Sequence, residues 1–315
     1  MAGAHSMDRE VHVTRGTQVP TVASVHAGER RLPMTWVAAL ALLGIVIWSY
    51  AQTIAPLVRE WMEDDDYSVG QLVPLAALYL LWHDRKKLAQ CRMAPAWSGI
   101  AVILLAQIVR VIGFAEMYES IERYALVLTI VGVVLLVAGW QVSRQLVWIL
   151  LFLFLMVPLP GRVHNMIAGP LQNLATAGAV MTLELLGIMV SQEGNVMVLN
   201  DNVPVAVAEA CSGLRMLTAF IVVASVLAYI VKRPWWQKAV LVVSSIPVAI
   251  ICNLIRLVVT AILFLVTSSQ VAERFFHDFA GWTMMPLAVF MLLGEMWILS
   301  RLVTEDPGER SEAGL

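Results

Sequence analysis

Residues 239–266, AVLVVSSIPVAIICNLIRLVVTAILFLV, form an apolar run that contains a single charged side chain, that of Arg256. About 20 apolar residues in a helix span a bilayer core of about 30 Å, so this run predicts a transmembrane helix. The composition agrees, because 59% of the 315 residues are hydrophobic and 14% are charged, whereas soluble domains have about 45–50% and about 25%. We therefore expect an all-α protein that crosses the membrane several times.

The apolar stretches predict about eight transmembrane helices in total. These are Met34–Ile54, Gln71–His83, Trp97–Met117, Ile121–Trp140, Gln145–Val157, Leu214–Val231, Ala239–Val266 and Trp282–Leu302. Residues Asn165–Met189 are helical in pattern but partly polar, so we interpret them as a buried or interfacial helix that does not cross the membrane. Farther along, two β-rich runs flank Asn200-Asp201-Asn202 and predict a short extracytoplasmic β-hairpin.

Charged residues divide between the two sides of this arrangement. Loops rich in lysine and arginine remain in the cytoplasm, which places both chain termini there. The basic side carries Arg9, Arg15, Arg30, Arg31, Arg85, Lys86, Lys87, Arg92, Arg144, Lys232, Arg233, Lys238, Arg301 and Arg310, and the other side carries Glu60, Glu63, Asp64, Asp65, Asp66, Glu116, Glu119 and Glu122. The same division predicts a polar cytoplasmic tail over residues 1–33, a membrane domain over residues 34–302 and a short cytoplasmic tail over residues 303–315.

One of the three cysteines lies at the extracytoplasmic surface in this topology. Cys91 falls in a basic cytoplasmic loop, and Cys252 lies roughly 21 Å up the seventh span, counted from the helical rise per residue. Cys211 precedes the sixth span, in Glu209-Ala210-Cys211-Ser212-Gly213-Leu214-Arg215. The dipole of a helix N-terminus and a nearby cation lower the pKa of a thiol. Cys211 is therefore a candidate nucleophile, with simple packing as the alternative.

Two further polar side chains are expected at the same surface as Cys211. Arg256 lies roughly 27 Å of helix beyond the last cytoplasmic lysine, and Asn253 shares its helical face at a spacing of three residues. His277 lies in the aromatic segment 274–282, at the start of the last span. A thiol, a guanidinium and an imidazole at one face indicate acyl-transfer chemistry. Snorkelling of the arginine and interfacial anchoring by the histidine are the alternatives.

Other kinds of chemistry find little support in the sequence. Metal-ligand spacings and glycine-rich phosphate loops are absent from it, so we predict no metal and no cofactor. Basic residues are not interleaved with aromatic residues, so no nucleic-acid partner is expected. His164 is the other histidine on the outer side and the weaker candidate. A transporter or flippase is the competing functional class, because Arg256 and Asn253 can line an anion path and Pro247 can break a helix. A structural scaffold of a polysaccharide secretion complex is the third alternative.

The order of these motifs resembles that of the exosortase/archaeosortase family of integral-membrane cysteine transpeptidases. The resemblance is carried by residues 209–215, by Asn253-Leu254-Ile255-Arg256 and by His277 with Gly281 four residues later. Two other stretches are similar to family landmarks, namely Asp66-Tyr67-Ser68-Val69-Gly70-Gln71-Leu72-Val73-Pro74 and Val157-Pro158-Leu159-Pro160. Val69 departs from the family, which often has histidine at that position. The resemblance covers about residues 34–302.

The resemblance implies an enzyme of the bacterial inner membrane whose active site faces the periplasm. Its partners would be the lipid bilayer and secreted proteins with a C-terminal sorting signal of the PEP-CTERM type, which comprises a short motif, an apolar helix and a basic tail. Members of the family are often associated with exopolysaccharide. On this basis Cys211 is the nucleophile that forms a thioester, His277 is the general acid and base, and Arg256 stabilises the oxyanion or the substrate. Asn253 and Arg215 are expected to support them.

Overall fold

The computed structural model of the chain describes residues 34–64, 66–91, 93–193, 196–200, 203–206, 213–267 and 280–302. Within these ranges, ten α-helices and three short β-strands are formed, so the prediction of a mainly helical protein is confirmed. Two 3-10 turns, Ser68–Gln71 and Leu153–Met156, precede α3 and follow α6. The elements are α1 (Met34–Ser49), α2 (Ala51–Glu63), α3 (Leu72–His83), α4 (Arg85–Gln90), α5 (Ser98–Ala115), α6 (Glu119–Phe152), α7 (Gly161–Leu185), β1 (Val190–Glu193), β2 (Val196–Leu199), β3 (Val203–Ala206), α8 (Leu214–Ile230), α9 (Trp235–Val266) and α10 (Ala280–Leu302).

Three helical runs in the described part are long and apolar enough to cross a membrane. They are Ser98–Ala115, Glu119–Met156 and Trp235–Val266, and the bent pair of α1 and α2 makes a fourth if it is counted as one span. Shorter apolar helices lie at Ser68–His83, Leu214–Ile230 and Val289–Ile298. These helices are those of a membrane protein, although fewer of them have the full length than the eight spans that the sequence predicts.

The two halves of α6 run in opposite directions. Gly139 has φ +83° and ψ −177°, which is not a helical conformation, and a Cβ at this position would lie 1.8 Å from the carbonyl oxygen of Ala94. The rings of Tyr124 and Phe154 stack with their centroids 6.2 Å apart, although a straight helix would separate these residues by about 45 Å. The reversal therefore requires glycine, and the two halves correspond to the fourth and fifth predicted helices.

The first predicted span, Met34–Ile54, ends earlier than expected. α1 stops at Ser49, and α2 leaves it at an angle of 71°. Arg110 of α5 donates to the hydroxyl of Ser49 at 2.9 Å and to its carbonyl at 2.7 Å, and its guanidinium lies 4.2 Å from the centre of the Tyr50 ring. The last carbonyls of a helix have no helical partner, and a cation there binds them favourably. Arg110 therefore caps α1 and stabilises the bend.

The predicted β-hairpin is present as β2 and β3, but a third strand extends it. The sheet is antiparallel with the order β1-β2-β3, and Val190 of β1 lies opposite Leu199 of β2. Met197 and Leu199 are fully buried and pack with residues of α7 and α9. The sequence does not predict β1, because three of its four residues are polar and its pairing with β2 alone defines it as a strand.

The contacts of α7 lie at one end of α8 and α9. His164 contacts Tyr67 near the start of α7, Ala175 lines a small cleft together with Gly213, and Leu183 packs with the end of α9 and with the sheet. The helix covers Gly161–Leu185, so it begins and ends four residues earlier than predicted. The interpretation of this segment as a buried or interfacial helix that does not cross the membrane stays a prediction.

Candidate functional site

The start of α8 packs against a polar residue of α9, Asn253. Gly213 precedes α8 with φ +79°, and a Cβ placed on it would lie 2.9 Å from Nδ2 of Asn253. Only a short turn separates α8 from α9, so the first turn of α8 lies beside the second half of α9. The amide of Asn253 is therefore held against the backbone that directly follows Cys211-Ser212 in the chain.

The Asn253–Arg256 pair is buried and hydrogen-bonded. Asn253 is 2% exposed and Arg256 is 8% exposed, and Nη2 of Arg256 donates to Oδ1 of Asn253 at 2.7 Å. Such a charge-assisted bond fixes the plane of the guanidinium. Taking the charge of an arginine out of water costs roughly several kcal/mol unless polar partners compensate it. The predicted polar stripe of α9 thus exists, and its Asn253 lies against the start of α8.

The remaining predicted site residues are less fully placed. Cys211 and His277 lie outside the described residues, so their roles, and that of Arg256 toward a substrate, stay predictions. Arg215 is half-buried on the first turn of α8, and its carbonyl accepts a hydrogen bond from the hydroxyl of Thr218 at 2.9 Å. The structure therefore brings together Gly213, Asn253 and Arg256. It places Arg215 on the first turn of α8, directly after Gly213 and Leu214.

A second polar cluster lies near the same end of α8. The hydroxyl of Tyr67 and Nδ1 of His164 are 2.8 Å apart, and Nε2 of His164 lies 3.9 Å from Oδ2 of Asp66. The Tyr67 hydroxyl also donates to the carbonyl of Leu159 at 3.4 Å. Asp66, Tyr67 and Leu159 line a cleft together with Thr218 of α8. Both landmark stretches, residues 66–74 and 157–160, therefore meet at this cleft.

Sequence reasoning identifies His164 only as a weaker candidate and does not pair it with Tyr67. The two residues are 97 positions apart, and no periodic pattern connects them. The single signal in the sequence is the family landmark that contains Asp66 and Tyr67. Val69 of that landmark is 6% exposed and belongs to the main hydrophobic core, so it acts in packing.

The phenol of Tyr67 is strongly held in its neutral form. Burial, followed by the negative charges of Asp64, Glu60 and Asp66, raises the pKa of Tyr67 to about 12, although the nearby Arg123 opposes this shift. A neutral phenol keeps its proton as a hydrogen-bond donor throughout the physiological range. Tyr67 can therefore donate one hydrogen bond and accept another at the same time.

A buried arginine connects the acidic residues on this side of the molecule. Nη1 of Arg123 lies 2.6 Å from Oε2 of Glu60, and Nη2 lies 2.7 Å from Oε2 of Glu119. Arg123 is 3% exposed, so two carboxylates compensate a cation that is out of water. The sequence places both glutamates in acidic clusters but does not identify this partner, which joins α2 to α6.

One further observation concerns the transporter alternative, and another concerns metal binding. Pro247 lies within α9, which continues without a break from Trp235 to Val266, so the interrupted helix that favours a transporter is not found at that position. Among the residues that the structure describes, no three histidine, cysteine or acidic side chains are grouped so that they could hold a metal ion.

Comparison with known proteins assigns a family. The family described as "Transmembrane exosortase" matches residues 61–294. Neither the curated proteins nor the solved structures compared with this chain gave a match. The matched range contains the Asp66-Tyr67 landmark, Cys211, the Asn253–Arg256 pair and His277. Because the match covers most of the chain and all of these segments, the protein belongs to the transmembrane exosortase family of membrane sorting and processing proteins.

Proposed function

We propose that this membrane protein is a cysteine peptidase or transpeptidase that cleaves the C-terminal sorting signals of secreted proteins through a thioester on Cys211. The observation that carries the proposal is that Asn253, which binds the Arg256 guanidinium, packs against Gly213. A preorganised cation beside a nucleophile stabilises the oxyanion that forms when a thiolate attacks a carbonyl. Family membership supports a sorting function, and the resemblance of the motifs suggests signals of the PEP-CTERM type.

The proposal places the site at the periplasmic face of the bacterial inner membrane. Eight spans with both termini in the cytoplasm form a membrane domain over residues 34–302, between cytoplasmic tails at residues 1–33 and 303–315. A basic residue lies near the C-terminal end of α8, far from Gly213. Tyr229 of that end donates to the carboxylate of Asp84, which also pairs with Lys87. Exposed tryptophans near basic segments are typical of a membrane interface, and here they are Trp82, Trp97, Trp140 and Trp235.

The acidic residues support the same orientation. Asp66 shares a cleft with Thr218, on the second turn of α8. Glu60, six residues before Asp66 in the chain, pairs with Arg123, which also binds Glu119. The reversal at Gly139 also supports counting residues 121–157 as two spans. In this topology the apolar helix of a substrate stops in the bilayer, and its recognition motif lies just outside the membrane, at the level of the start of α8.

The mechanism follows the usual steps of thiol-dependent acyl transfer. The Cys211 thiolate attacks the scissile carbonyl, and the C–N bond breaks as His277 protonates the leaving amine. The released tail leaves a thioester on Cys211. His277 then accepts a proton from the nucleophile that attacks this thioester. Resolution by water gives a peptidase, and resolution by an amine or another acceptor gives a transpeptidase.

Arg256 is assigned to the oxyanion. A guanidinium has five N–H donors, so one side chain can hold Asn253 and donate to a developing negative charge at the same time. Asn253 acts by fixing the guanidinium, since it accepts from Nη2 at 2.7 Å and touches the N-terminus of α8. Arg215, on the first turn of that helix, is assigned a supporting role.

The nucleophile is tested with a secreted reporter that carries a tripartite tail. In cells that express Cys211→Ala, the reporter should remain full length, whereas Cys91→Ala should process it normally, because Cys91 lies after α4 with its thiol close to the carbonyl of Lys87. Membrane insertion and expression of both variants are measured by immunoblotting of the membrane fraction. Normal processing by a well-expressed Cys211→Ala variant would exclude the proposed nucleophile.

The orientation is tested separately by labelling. A membrane-impermeant maleimide applied to intact spheroplasts should label Cys211 and leave the Cys91 thiol unmodified until the membrane is permeabilised. Labelling of Cys91 alone in sealed spheroplasts would contradict the topology and the periplasmic site. A transporter has no need for a reactive outer thiol, so the same experiment also separates the two classes.

A further inference from the structure

Helix α1 ends at a level that has the features of a membrane surface. Its side chains Ile45, Ile47 and Trp48 are exposed, as is usual for the lipid-facing side of a membrane helix. Directly after Trp48, the carbonyl of Ser49 accepts a hydrogen bond from the guanidinium of Arg110 at 2.7 Å. Tryptophan and arginine are anchors at the boundary between hydrocarbon and water. The bend between α1 and α2 therefore lies at one surface of the bilayer.

Helix α2 runs along this surface and not through the bilayer. It has 13 residues, which makes it about 20 Å long. Because it turns away from α1 by 71°, it advances only about 6 Å in the direction of α1 over this length. The hydrocarbon core is about 30 Å thick. When α1 crosses the membrane, a helix with this direction stays within the boundary layer.

One side of α2 is occupied by the protein itself. Trp61 donates to the carbonyl of Met156 at 3.0 Å, and Glu60 pairs with Arg123 at 2.6 Å. The buried and half-buried residues that form this side are Thr53, Ile54, Leu57, Glu60 and Trp61. At about 100° of rotation per residue, they cover an arc of about 120° of the helix. The rest of the circumference has no covering from the described part of the protein.

The exposed residues of α2 form two further sides. The apolar side consists of Ala51, Ala55, Val58 and Met62, and the polar side consists of Gln52, Pro56, Arg59 and Glu63. The centres of the two sides are about 100° apart around the helix. Met62 is 77% exposed, so a large apolar side chain has no protein contact over most of its surface. This separation of apolar and polar residues is typical of a helix that lies in the plane of a membrane interface.

The polar side of α2 adjoins a charged cleft. Arg59 and Glu63 line this cleft together with Glu119 and Arg123 of α6, and its volume is about 490 Å³. Charged groups around a space of this size require water. The cleft therefore identifies the direction in which α2 faces water. The apolar side faces a different direction, and it avoids water by contact with the hydrocarbon at the bilayer surface.

We propose that α2 is an interfacial helix that binds the phospholipid layer, with its apolar side among the upper parts of the acyl chains and its polar side among head groups and water. Binding depends on apolar contact, because the exposed charges of Arg59 and Glu63 offset one another and give no net attraction to anionic lipid. Asp66 and Tyr67 follow α2 within four residues, so this contact holds the cleft that they line near the level of the head groups. The inference does not depend on the chemistry of Cys211, and it takes from the proposed function the assignment of this surface to the periplasmic leaflet.

The test compares neighbouring positions on the two exposed sides of α2. Met62→Cys and Glu63→Cys are one residue apart, about 1.5 Å along the helix, and Val58→Cys and Arg59→Cys form a second pair. Each is made in the full-length chain with the three natural cysteines replaced by alanine, labelled with a nitroxide and placed in nanodiscs of phosphatidylethanolamine and phosphatidylglycerol. Electron paramagnetic resonance measures collisions of the nitroxide with oxygen, which concentrates in hydrocarbon, and with a nickel chelate, which stays in water. The unfolding temperature of each labelled protein is compared with that of wild type.

Nitroxides on the apolar side should collide mainly with oxygen, at a depth of about 5–10 Å, and those on the polar side should collide mainly with the nickel chelate. Replacement of phosphatidylglycerol by phosphatidylcholine should leave both results unchanged. Mainly nickel collisions at all four positions would place α2 in water, and oxygen collisions that change steadily along the helix would indicate a crossing. Few collisions with either reagent on the apolar side would indicate a protein partner. Each of these three results would overturn the proposal.

A second measurement uses the otherwise wild-type chain in the same nanodiscs. A maleimide should modify Glu63→Cys at least about tenfold faster than Met62→Cys, because the reactive thiolate is disfavoured in hydrocarbon. Mass spectrometry of the peptide that contains both positions gives the two rates, and the rates should become equal when the protein is unfolded in denaturant. Equal rates in the folded protein would contradict the interfacial placement of α2. Neither result changes the outcome of the Cys211→Ala experiment, so the two proposals fail independently.

Discussion

The two ends of α8 both carry buried polar groups, but the groups are arranged differently. At the C-terminal end, Asp84 is 2% exposed and binds both the Lys87 ammonium at 2.8 Å and the hydroxyl of Tyr229. At the N-terminal end, the polar groups around Gly213 and Tyr67 adjoin clefts, and Nε2 of His164 lies 3.9 Å from Oδ2 of Asp66. A closed ion pair is suited to holding helices together, whereas polar groups beside a cleft are suited to binding another molecule. We therefore expect changes at the N-terminal end to affect activity and changes at the C-terminal end to affect stability.

The largest effect is expected for Arg256 at the N-terminal end. Arg256→Lys keeps the charge but loses the planar set of donors that binds Asn253 and an oxyanion. Tail release should fall by about 10²–10³-fold, which is the usual cost of removing an oxyanion donor. The rate is measured with a fluorogenic tailed peptide in liposomes.

Arg162→Lys provides the matched control for this change. Arg162 is exposed near the start of α7, so its replacement should leave the rate of tail release within a factor of about two, as for most surface changes. If both variants lost the same activity, a general effect of positive charge would explain the result and the special place of Arg256 would be lost.

The next effect concerns the close contact between Gly213 and Asn253. Gly213→Ala forces a Cβ to within 2.9 Å of the Asn253 amide and imposes a left-handed conformation that costs about 1–2 kcal/mol. Because a displacement of about 1 Å can cost about 10²-fold in rate, cleavage should fall at least tenfold. The rate and the thermal unfolding temperature are measured on the same preparations.

Gly187→Ala separates the effect of backbone strain from the effect of the contact with Asn253. Gly187 has φ +84°, but a Cβ there would meet nothing within 4 Å, so this variant has the backbone strain without the contact. It should lose about 1–2 kcal/mol of stability and keep its rate of cleavage. A comparable loss of rate in Gly187→Ala would mean that strain alone, and not the position of Asn253, is responsible.

These residues also show which parts of the fold and of the candidate site can be predicted from the sequence. Spacing along one helix predicts that Asn253 and Arg256 share a face, and charge segregation predicts which end of the bundle they approach. Apolar length also predicts most helix positions. The departures come from long-range contacts: Arg110 ends α1 at Ser49, and the close approach of Ala94 makes Gly139 a point of reversal.

The second polar cluster could not be predicted for a similar reason. Tyr67 and His164 belong to segments that only the folded chain brings together, and neither segment has an apolar period that fixes the direction of its polar side chains. β1 is recognisable only from its partner strand. Local pattern thus gives the helices and one face of the site, while tertiary packing decides the rest.

At the C-terminal end of α8, the predicted effect is on stability. Burial opposes ionisation of Asp84, but hydrogen bonds from Lys87 and Tyr229 and the charge of Lys87 hold the pKa of its carboxyl below the usual value. Asp84→Ala should lower the free energy of unfolding by about 1–3 kcal/mol, because the Tyr229 hydroxyl loses its acceptor. The cleavage rate of the folded protein should not change. Lys87→Ala, which removes an ammonium on a 64% exposed side chain, should cost at most about 1 kcal/mol.

The pH dependence of this end has a defined sign. The folded pKa of Asp84 lies below the unfolded value of about 3.9, so its ionised form contributes stability above that pH. The contribution is lost as the pH falls through the folded pKa. Unfolding temperatures in detergent should therefore converge for wild type and Asp84→Asn as the solution is acidified. A constant difference down to the lowest pH would contradict the charge pairing.

The smallest effect is a titration at the N-terminal end. Because the pKa of Tyr67 is raised to about 12, above the unfolded value of about 10, its neutral form contributes stability that is complete below pH 10 and is lost as the pH rises through 12. Nothing should change near neutral pH. The ultraviolet difference spectrum between wild type and Tyr67→Phe should contain one tyrosinate that appears about two pH units later than an exposed tyrosine.

Asp64→Asn should shift that titration to lower pH, because the charge of Asp64 raises the pKa of the phenol more than that of Glu60 or Asp66 does. An unchanged titration would contradict the contribution of the Asp64 carboxylate to this shift.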